Sequence, residues 1–573
     1  MKENMKKIIS TLLLLACLLT FNNCSDSDYD EKYSDPNKVT TLLMDKLMIG
    51  IFTKENIFAL QQYWRYYNTD SQWLGRYAQC FGFYTGSTMY HNGYSVDGYY
   101  SDLFISAANF KKLEDMYNNL TELEKPTYEA YYLAAKIHVY CHLLAILDIY
   151  GDIPWTNACK VAVTGDFSFT NASFDDDQAL YQMIIDEMKE AGIRFADGGV
   201  AMPKDFTSTQ DFVNNADRKK WQMYANSIRL RAAMRIASNG PLTAIGQATV
   251  KEILENPSVY PIVEDNEDNI QIKNLRTDPV NAEGGGGLGD QPVCRLASGA
   301  IIRNMLQNYD KATYSGTYQE NIDDPRLPLL YNMATPNGKV SGFPAFDPNR
   351  EEASVFRGTD PEMNSSVENN YATGDGFSWV RENGFFWRNE NWDHQIYSAA
   401  ETWFIKAEVY LNGWVAGDAK AAFKEGIKQS IRFFFKYQKN NSRSDYTQNE
   451  TGTERRAYVI TPDEPTDEWI DQFAEARWDS RIDGSSYDNV NPRLDAILTQ
   501  KWLSYNILYV REAWSDLRRT GYPSGLVFPQ VPDPLIPNTP NRWRYPPKER
   551  DFNTSFSQVE SQDNYTDKLF WMK

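Results

Sequence analysis

Residues 403–431 read WFIKAEVYLNGWVAGDAKAAFKEGIKQSI, and the spacing of their apolar side chains decides the fold class. Trp403, Ala407, Tyr410 and Trp414 recur at steps of four and three, which places them on one face of a helix. Gly413 and Gly417 open a short turn, and Asp418 is a good N-cap for a second helix from Ala419 to Ile431. On that helix Ala419, Ala422, Phe423, Ile427 and Ile431 face the first. The stretch is an αα-hairpin of tetratricopeptide-like kind. No strict repeat period accompanies it, so the expected fold is mainly α: an irregular α-superhelix with tetratricopeptide-like helix pairs, rather than a regular array.

Working outward, Tyr128, Tyr132, Ala135, Val139, Leu143 and Ile146 form another helical face, stopped at Tyr150-Gly151-Asp152-Ile153-Pro154. A further helix runs from Trp221 to Ala237. Between these parts, residues 260–395 are rich in Gly, Pro, Asn and Asp and show little periodicity, and residues 520–573 are similar. Long irregular stretches in a compact protein are functional or disordered. Interleaved aromatics argue against plain disorder here, so a loop-rich ligand-binding face is expected.

The N-terminus has a different character. Lys2, Lys6 and Lys7 precede the apolar run from Ile8 to Leu19, the layout of an export signal. The run is shorter than the ~20 apolar residues of a membrane span and meets Asn22-Asn23-Cys24. Cys24 is the expected lipidated residue, with Cys17 as a rival acceptor and an ordinary secretory signal as the plainer reading. The chain then divides into residues 1–23 as lipoprotein signal peptide, 24–40 as a flexible acidic tether and 41–573 as one folded unit. Membrane contact is through the lipid.

The net charge is −19, and removing residues 1–23 takes away three lysines and one glutamate, giving −21. A nucleic-acid binder needs a basic stripe that releases counterions; no run of Lys and Arg provides one, so nucleic acid is excluded as a partner. Cys80, Cys141, Cys159 and Cys294 are too sparse for a disulfide framework in a chain of 573 residues. Spacing leaves their pairing open, Cys141 with Cys159 being one arrangement.

Only four His accompany 15 Trp, 36 Tyr and 29 Phe, which turns the expected chemistry away from imidazole and toward ring stacking. His138 and His142 have the spacing of a helical metal pair, but Val139 stands where a zinc protease needs its glutamate. Core imidazoles are the better reading. Gly284-Gly285-Gly286-Gly287-Leu288-Gly289 lacks the Gly-Lys-Ser/Thr ending of a phosphate loop and reads as a turn. Glu382, Glu390 and Asp393 stand among Trp379, Phe386, Trp387 and Trp392, a setting in which paired carboxylates would cleave a glycoside. With 77 acidic residues such neighbours are unavoidable. No nucleophile elbow is present either, so no catalytic residue, metal set or cofactor is assigned, and a structural calcium stays open.

Two segments are aromatic beyond what helix packing asks: Trp64 to Tyr100, with Trp73, Phe83, Tyr84, Tyr90, His91, Asn92 and Tyr94, and Trp379 to Trp392. Rings interleaved with Asn, Arg, Asp and Gly suit a sugar, whose ring has an apolar face and a rim of hydroxyls. Each stack adds about 0.5–1.5 kcal/mol beyond area. Taken singly, each ring equally suits a core or an interface.

Several motifs carry a family resemblance. Gln500-Lys501-Trp502 is followed by Glu512-Ala513-Trp514-Ser515-Asp516-Leu517-Arg518-Arg519-Thr520-Gly521-Tyr522-Pro523, then Arg544-Tyr545-Pro546 with Glu549 and Asn553, and Trp571. Asp35-Pro36-Asn37, Tyr150-Gly151-Asp152-Ile153-Pro154-Trp155, Leu230-Arg231-Ala232-Ala233-Met234-Arg235, Asp324-Pro325-Arg326-Leu327 and Ala407-Glu408 with Gly413-Trp414 add to it. Together they resemble the SusD/RagB family of outer-membrane nutrient-binding lipoproteins. The acidic run from Asp26 to Glu31 resembles the tag of surface-exposed members. The resemblance implies a SusD-like domain that captures oligosaccharides at the cell surface. It would act as a lid on a SusC-type TonB-dependent porin and would perform no chemistry. The glycan-binding candidates are Tyr84, Tyr90, Asn92, Trp379, Trp387 and Trp392. A peptide-capturing RagB-like lid is the alternative, and a surface glycoside hydrolase using Glu382 and Glu390 is the alternative of another class. The loops from Tyr84 to Tyr100 and Asp278 to Asp393 match no pattern tied to one glycan. Most matched motifs sit on helices and turns and are expected to support the fold, Arg518 and Arg519 with Asp516 forming a structural ion-pair network.

Overall fold

A computed structural model describes residues 43–59, 65–82, 90, 97–274, 288, 294–334, 355–371, 376–381, 384–387, 389–441, 462–478 and 491–573. Cys17, Cys24, the tether and the Gly284–Gly287 run lie outside these residues. The main helices are α1 (Met44–Ala59), α2 (Asp97–Asn118), α3 (Lys125–Tyr150), α4 (Asp177–Arg194), α5 (Arg218–Ile236), α6 (Thr243–Glu255), α7 (Ala399–Leu411), α8 (Ala419–Lys439), α9 (Asp467–Trp478), α10 (Pro492–Tyr505) and α11 (Val510–Thr520). Neighbours in sequence pack side by side: α1 with α2 and α3, α4 and α6 with α5, α7 with α8, and α8 with α9. This is the mainly helical architecture expected from the sequence.

The hairpin of residues 403–431 forms α7 and α8. Asp418 caps α8 by accepting from the Ala421 N–H at 3.0 Å, and Gly413 adopts φ +70° in the turn. The Phe404 and Phe423 rings pack across the pair at 6.3 Å. Helix α8 runs on to Lys439, past the expected Ile431, because Phe433, Phe434 and Phe435 continue its buried side. Its outer side carries a cation every fourth residue. Lys424 reaches Asp471 at 2.6 Å, Lys428 reaches Asp467 at 2.7 Å, Arg432 reaches Glu464 at 2.6 Å and Lys436 reaches Glu267 at 2.9 Å. Such exposed pairs contribute little each; they align α9 beside α8 more than they stabilise it.

In α3 the one-sided pattern read from the sequence understates the burial. Every residue from Ala130 to Tyr150 is enclosed, so the helix is covered all round, as an apolar helix must be. It is long and apolar enough to cross a membrane, yet its apolar stretch is buried inside the fold. Gly151 ends it at φ +77°. His138 and His142 lie on this helix among aromatic rings, with His138 Nδ1 2.9 Å from the Tyr224 hydroxyl and its ring edge-on to Phe52 at 5.3 Å. Burial lowers the basicity of His142, and packing explains both residues. Among the described residues no disulfide joins Cys80, Cys141, Cys159 and Cys294.

The irregular middle segment is tied down by two short antiparallel ladders. Strand β1 (Ile270–Ile272) pairs with β4 (His394–Tyr397), with a bulge between Ile270 and Gln271, and β2 (Ser315–Gly316) pairs with β3 (Phe356–Arg357). Beside the first ladder, Asn269 Oδ1 accepts the Ala399 N–H at 2.7 Å and fixes the start of α7.

The C-terminal motif residues meet in the core. Arg519 on α11 makes a bidentate pair with Glu408 on α7, at 2.7 and 2.8 Å, and reaches Asp516 at 3.2 Å. Asp516 also meets Lys501 at 2.8 Å and Arg235 at 3.6 Å. Arg518 instead lies over the Trp514 ring at 3.5 Å and donates to the carbonyls of Asp148 and Asn541 at 2.7 Å. Arg326 is paired with Asp324 and bonded to Gln500 at 2.7 Å, while the Trp502 indole donates to the Ala78 carbonyl at 2.8 Å. The motifs are therefore joints between helices, as the sequence reading expects.

Candidate ligand-binding face

The first aromatic segment opens on a π-helical turn, Tyr66–Leu74, whose inward side is closed. Trp73 stacks edge-on against Trp543 at 6.1 Å and against Tyr77 at 6.2 Å. Tyr90 is 2% exposed: its carbonyl accepts from the Tyr77 hydroxyl at 3.0 Å and its own hydroxyl donates to the Pro529 carbonyl at 2.8 Å. Burial pushes its pKa up to about 12. Tyr90 is thus a strut between this segment and the C-terminal loop, and its ring is not an open stacking platform. Tyr84 and Asn92 lie outside the described residues.

The second segment folds inward. Trp392 is 0% exposed and is ringed by Phe386 at 5.0 Å, Phe385 at 5.9 Å, Phe433 at 5.8 Å and Tyr437 at 4.6 Å. Trp387 is 2% exposed, with the Arg295 guanidinium 5.8 Å from its centroid. Neither ring has a face open to solvent, where the sequence reading expects both on the ligand face. For Trp392 the physical reason lies in α8, whose Phe433 and Tyr437 offer an apolar wall; a large ring gains more by burial there than by waiting for a ligand. The interleaved Asn389 serves the same end: its amide donates to the carbonyls of Phe385 at 2.8 Å and Tyr437 at 3.3 Å.

Trp379 differs from the other two. It is half-buried, paired through its backbone with Leu296, and covered in part by the Arg295 guanidinium at 4.6 Å. Of the six candidates, only Trp379 is described as partly exposed. Of the carboxylates considered for catalysis, Glu382 lies outside the described residues. Asp393 Oδ1 accepts the Asn274 N–H at 3.2 Å, and the Glu390 carbonyl accepts from the Asn274 amide at 3.4 Å.

Among the described residues the matched motifs serve packing within a mainly helical scaffold. Over residues 36–546 the chain matches the SusD-like family, described as starch-binding and associating with the outer membrane, and it belongs to that family. In fold it is similar to a chitin-binding protein, with a TM-score of 0.65 at 20% identity, covering 91% of this chain and 99% of that one. A SusD homologue from Bacteroides fragilis gives 0.64 at 19% identity, covering 93% and 100%. One from Bacteroides uniformis gives 0.59 at 18%, covering 92% and 99%. No curated protein matches the chain by sequence.

Proposed function

We propose that this chain is a cell-surface glycan-binding lipoprotein, anchored through Cys24, that captures oligosaccharides and delivers them as a lid to a SusC-type TonB-dependent porin without chemical change. The observation that carries this reading is the family match across residues 36–546, with its starch-binding, outer-membrane description. The chitin-binding neighbour in fold supports the choice of glycan as ligand. In this reading Trp379 supplies a stacking ring and Tyr84 and Asn92 further contacts, while Tyr90, Trp387 and Trp392 support the face. A few stacking contacts give intrinsic affinity of the order of mM to µM, and closure against the porin raises retention by holding the ligand at high effective concentration.

Calorimetric titration of the mature chain with plant, fungal, bacterial and mucin-type oligosaccharides tests the proposal. Trp379→Ala is expected to weaken the best ligand about threefold to tenfold, the worth of one stack, at unchanged melting temperature. Binding of that ligand at wild-type strength by the variant removes Trp379 from the face. The net charge of −19 favours a second reading, capture of basic peptides; binding of peptide pools with no glycan response would establish it. Release of reducing ends from any glycan would overturn the non-enzymatic reading.

A further inference from the structure

Residues 535–541 and Tyr565–Thr566 enclose a cavity of about 250 Å³ that lies outside both aromatic segments. Ile536, fully buried, and half-buried Thr539, Asn541 and Tyr565 form its floor. Its rim is exposed: Leu535, Asn538 and Thr566. The walls are fixed in advance. Asp533 Oδ1 accepts the Leu535 N–H at 2.8 Å, the Val531 N–H donates to the Pro537 carbonyl at 3.0 Å, and Asn541 donates to the carbonyls of Tyr565 at 2.8 Å and Thr566 at 2.6 Å. Tyr90 braces the same loop from the other side through Pro529, with its hydroxyl beside Thr539.

The lining selects a ligand class. No Asp, Glu, Lys or Arg lines the cavity, so an ionised ligand entering it would lose hydration without a partner. A neutral one is favoured. Leu535, Ile536 and Pro537 supply apolar surface and Tyr565 a ring. Around them the Asn538 amide, the Asn541 side-chain carbonyl and the Tyr565 hydroxyl make no hydrogen bond to described residues. Thr539 Oγ1 is enclosed beside the Tyr90 hydroxyl. Apolar surface, one ring and unspent amide and hydroxyl groups match the C–H face and hydroxyl rim of a sugar. The volume lies below the ~300–1,000 Å³ of sites for drug-sized ligands, which suits one ring.

We propose that this cavity is a binding site for a single neutral pyranose unit, separate from the Trp379 face. The ligand class rests on the glycan-binding reading above, while the site rests on other residues. Saturation-transfer NMR on the mature chain, with glucose, galactose and N-acetylglucosamine as probes and glucuronate as the charged control, tests it. At least one neutral sugar is expected to bind wild type and Trp379→Ala alike, with glucuronate at least fivefold weaker. Asn538→Trp, which fills the mouth from an exposed position, is expected to weaken that sugar at least tenfold. Tyr565→Phe, which keeps the ring, is expected to weaken it about threefold, both variants melting as wild type does. If Asn538→Trp and Tyr565→Phe bind as wild type while Trp379→Ala does not, the cavity is no sugar site and the glycan reading stands. If no sugar or oligosaccharide binds wild type, both fall.

Discussion

Asp516 is the anion on which three cations converge, and replacing it with Asn measures what the family motif is worth. Lys501, Arg519 and Arg235 lie at 2.8, 3.2 and 3.6 Å from its carboxylate. Burial alone would raise its pKa, but Lys501, Arg519 and Arg235 together hold it well below the usual 3.8. Asp516→Asn keeps the shape and removes the charge, leaving Lys501, whose side chain is 4% exposed, without an anion. Breaking a buried pair on one side costs about 3–5 kcal/mol, and that loss is expected in denaturant unfolding at pH 7. The pH dependence follows from the sign of the shift. A carboxyl depressed in the folded state contributes stability in full above its unfolded value, near 3.9, and loses it as the pH falls through the folded value. The gap between wild type and variant is therefore constant from pH 8 to about 4 and narrows below. Adding Lys501→Met to the variant is expected to recover part of the loss, since the stranded cation goes with it. A loss under 1 kcal/mol at pH 7, or a gap that stays constant down to pH 3, refutes the reasoning.

Other outcomes follow from single environments. Trp392→Ala empties the space between Phe386, Phe433 and Tyr437 and is expected to cost about 3–5 kcal/mol in chemical unfolding, where a surface ring would cost almost nothing. Burial first, then Asp152 and Asp176, raises the Asp177 carboxyl from 3.8 to about 7. The folded chain keeps that proton while the unfolded chain has lost it, so the contribution of this carboxyl to stability falls between pH 4 and pH 7. At about 1.4 kcal/mol per pH unit, Asp177→Asn should match wild type near pH 4 and exceed it by up to ~4 kcal/mol at pH 7, read from melting curves. A methyl on Gly246 would stand 2.7 Å from the Ala233 carbonyl oxygen and 2.8 Å from the Ala237 backbone. Gly246→Ala is accordingly expected to destabilise by about 1–3 kcal/mol, despite the ~1 kcal/mol that Ala gains in a helix, and thermal unfolding checks it.

The sequence carried the scaffold because its signals are local. The step of four and three in residues 403–431, the Asp418 cap and the Gly413 turn each act within one helical turn, and the structure realises all three. The ion network around Asp516 was legible as well, since Arg518, Arg519 and Asp516 share one helix, although Arg518 turned out to serve Trp514 and two carbonyls. The ligand face was less legible. Whether an aromatic ring is exposed depends on what packs against it from far along the chain, and the partners of Trp392 on α8 lie some forty residues away. Nothing local in 379–392 distinguishes Trp379 from Trp387. The C-terminal cavity had a faint signal in the polar run Asn538-Thr539-Pro540-Asn541, but its walls close only through the Asn541 bonds to residues 565 and 566.

The enclosure of α3 from Ala130 to Tyr150 sets an order on how the chain is made. Its C-terminal turn is covered by Trp543, which stacks on Tyr150 at 6.1 Å, and by Arg542, which bonds the Tyr150 carbonyl from 392 residues further along. At about 5–20 residues per second of synthesis, that cover emerges some 20–80 s after the helix it closes over. For that interval the last turn of α3 packs against Tyr100 and Tyr181 but lacks its C-terminal cover. A partly uncovered apolar helix is open to bilayers and to other copies of itself until the C-terminal loop arrives.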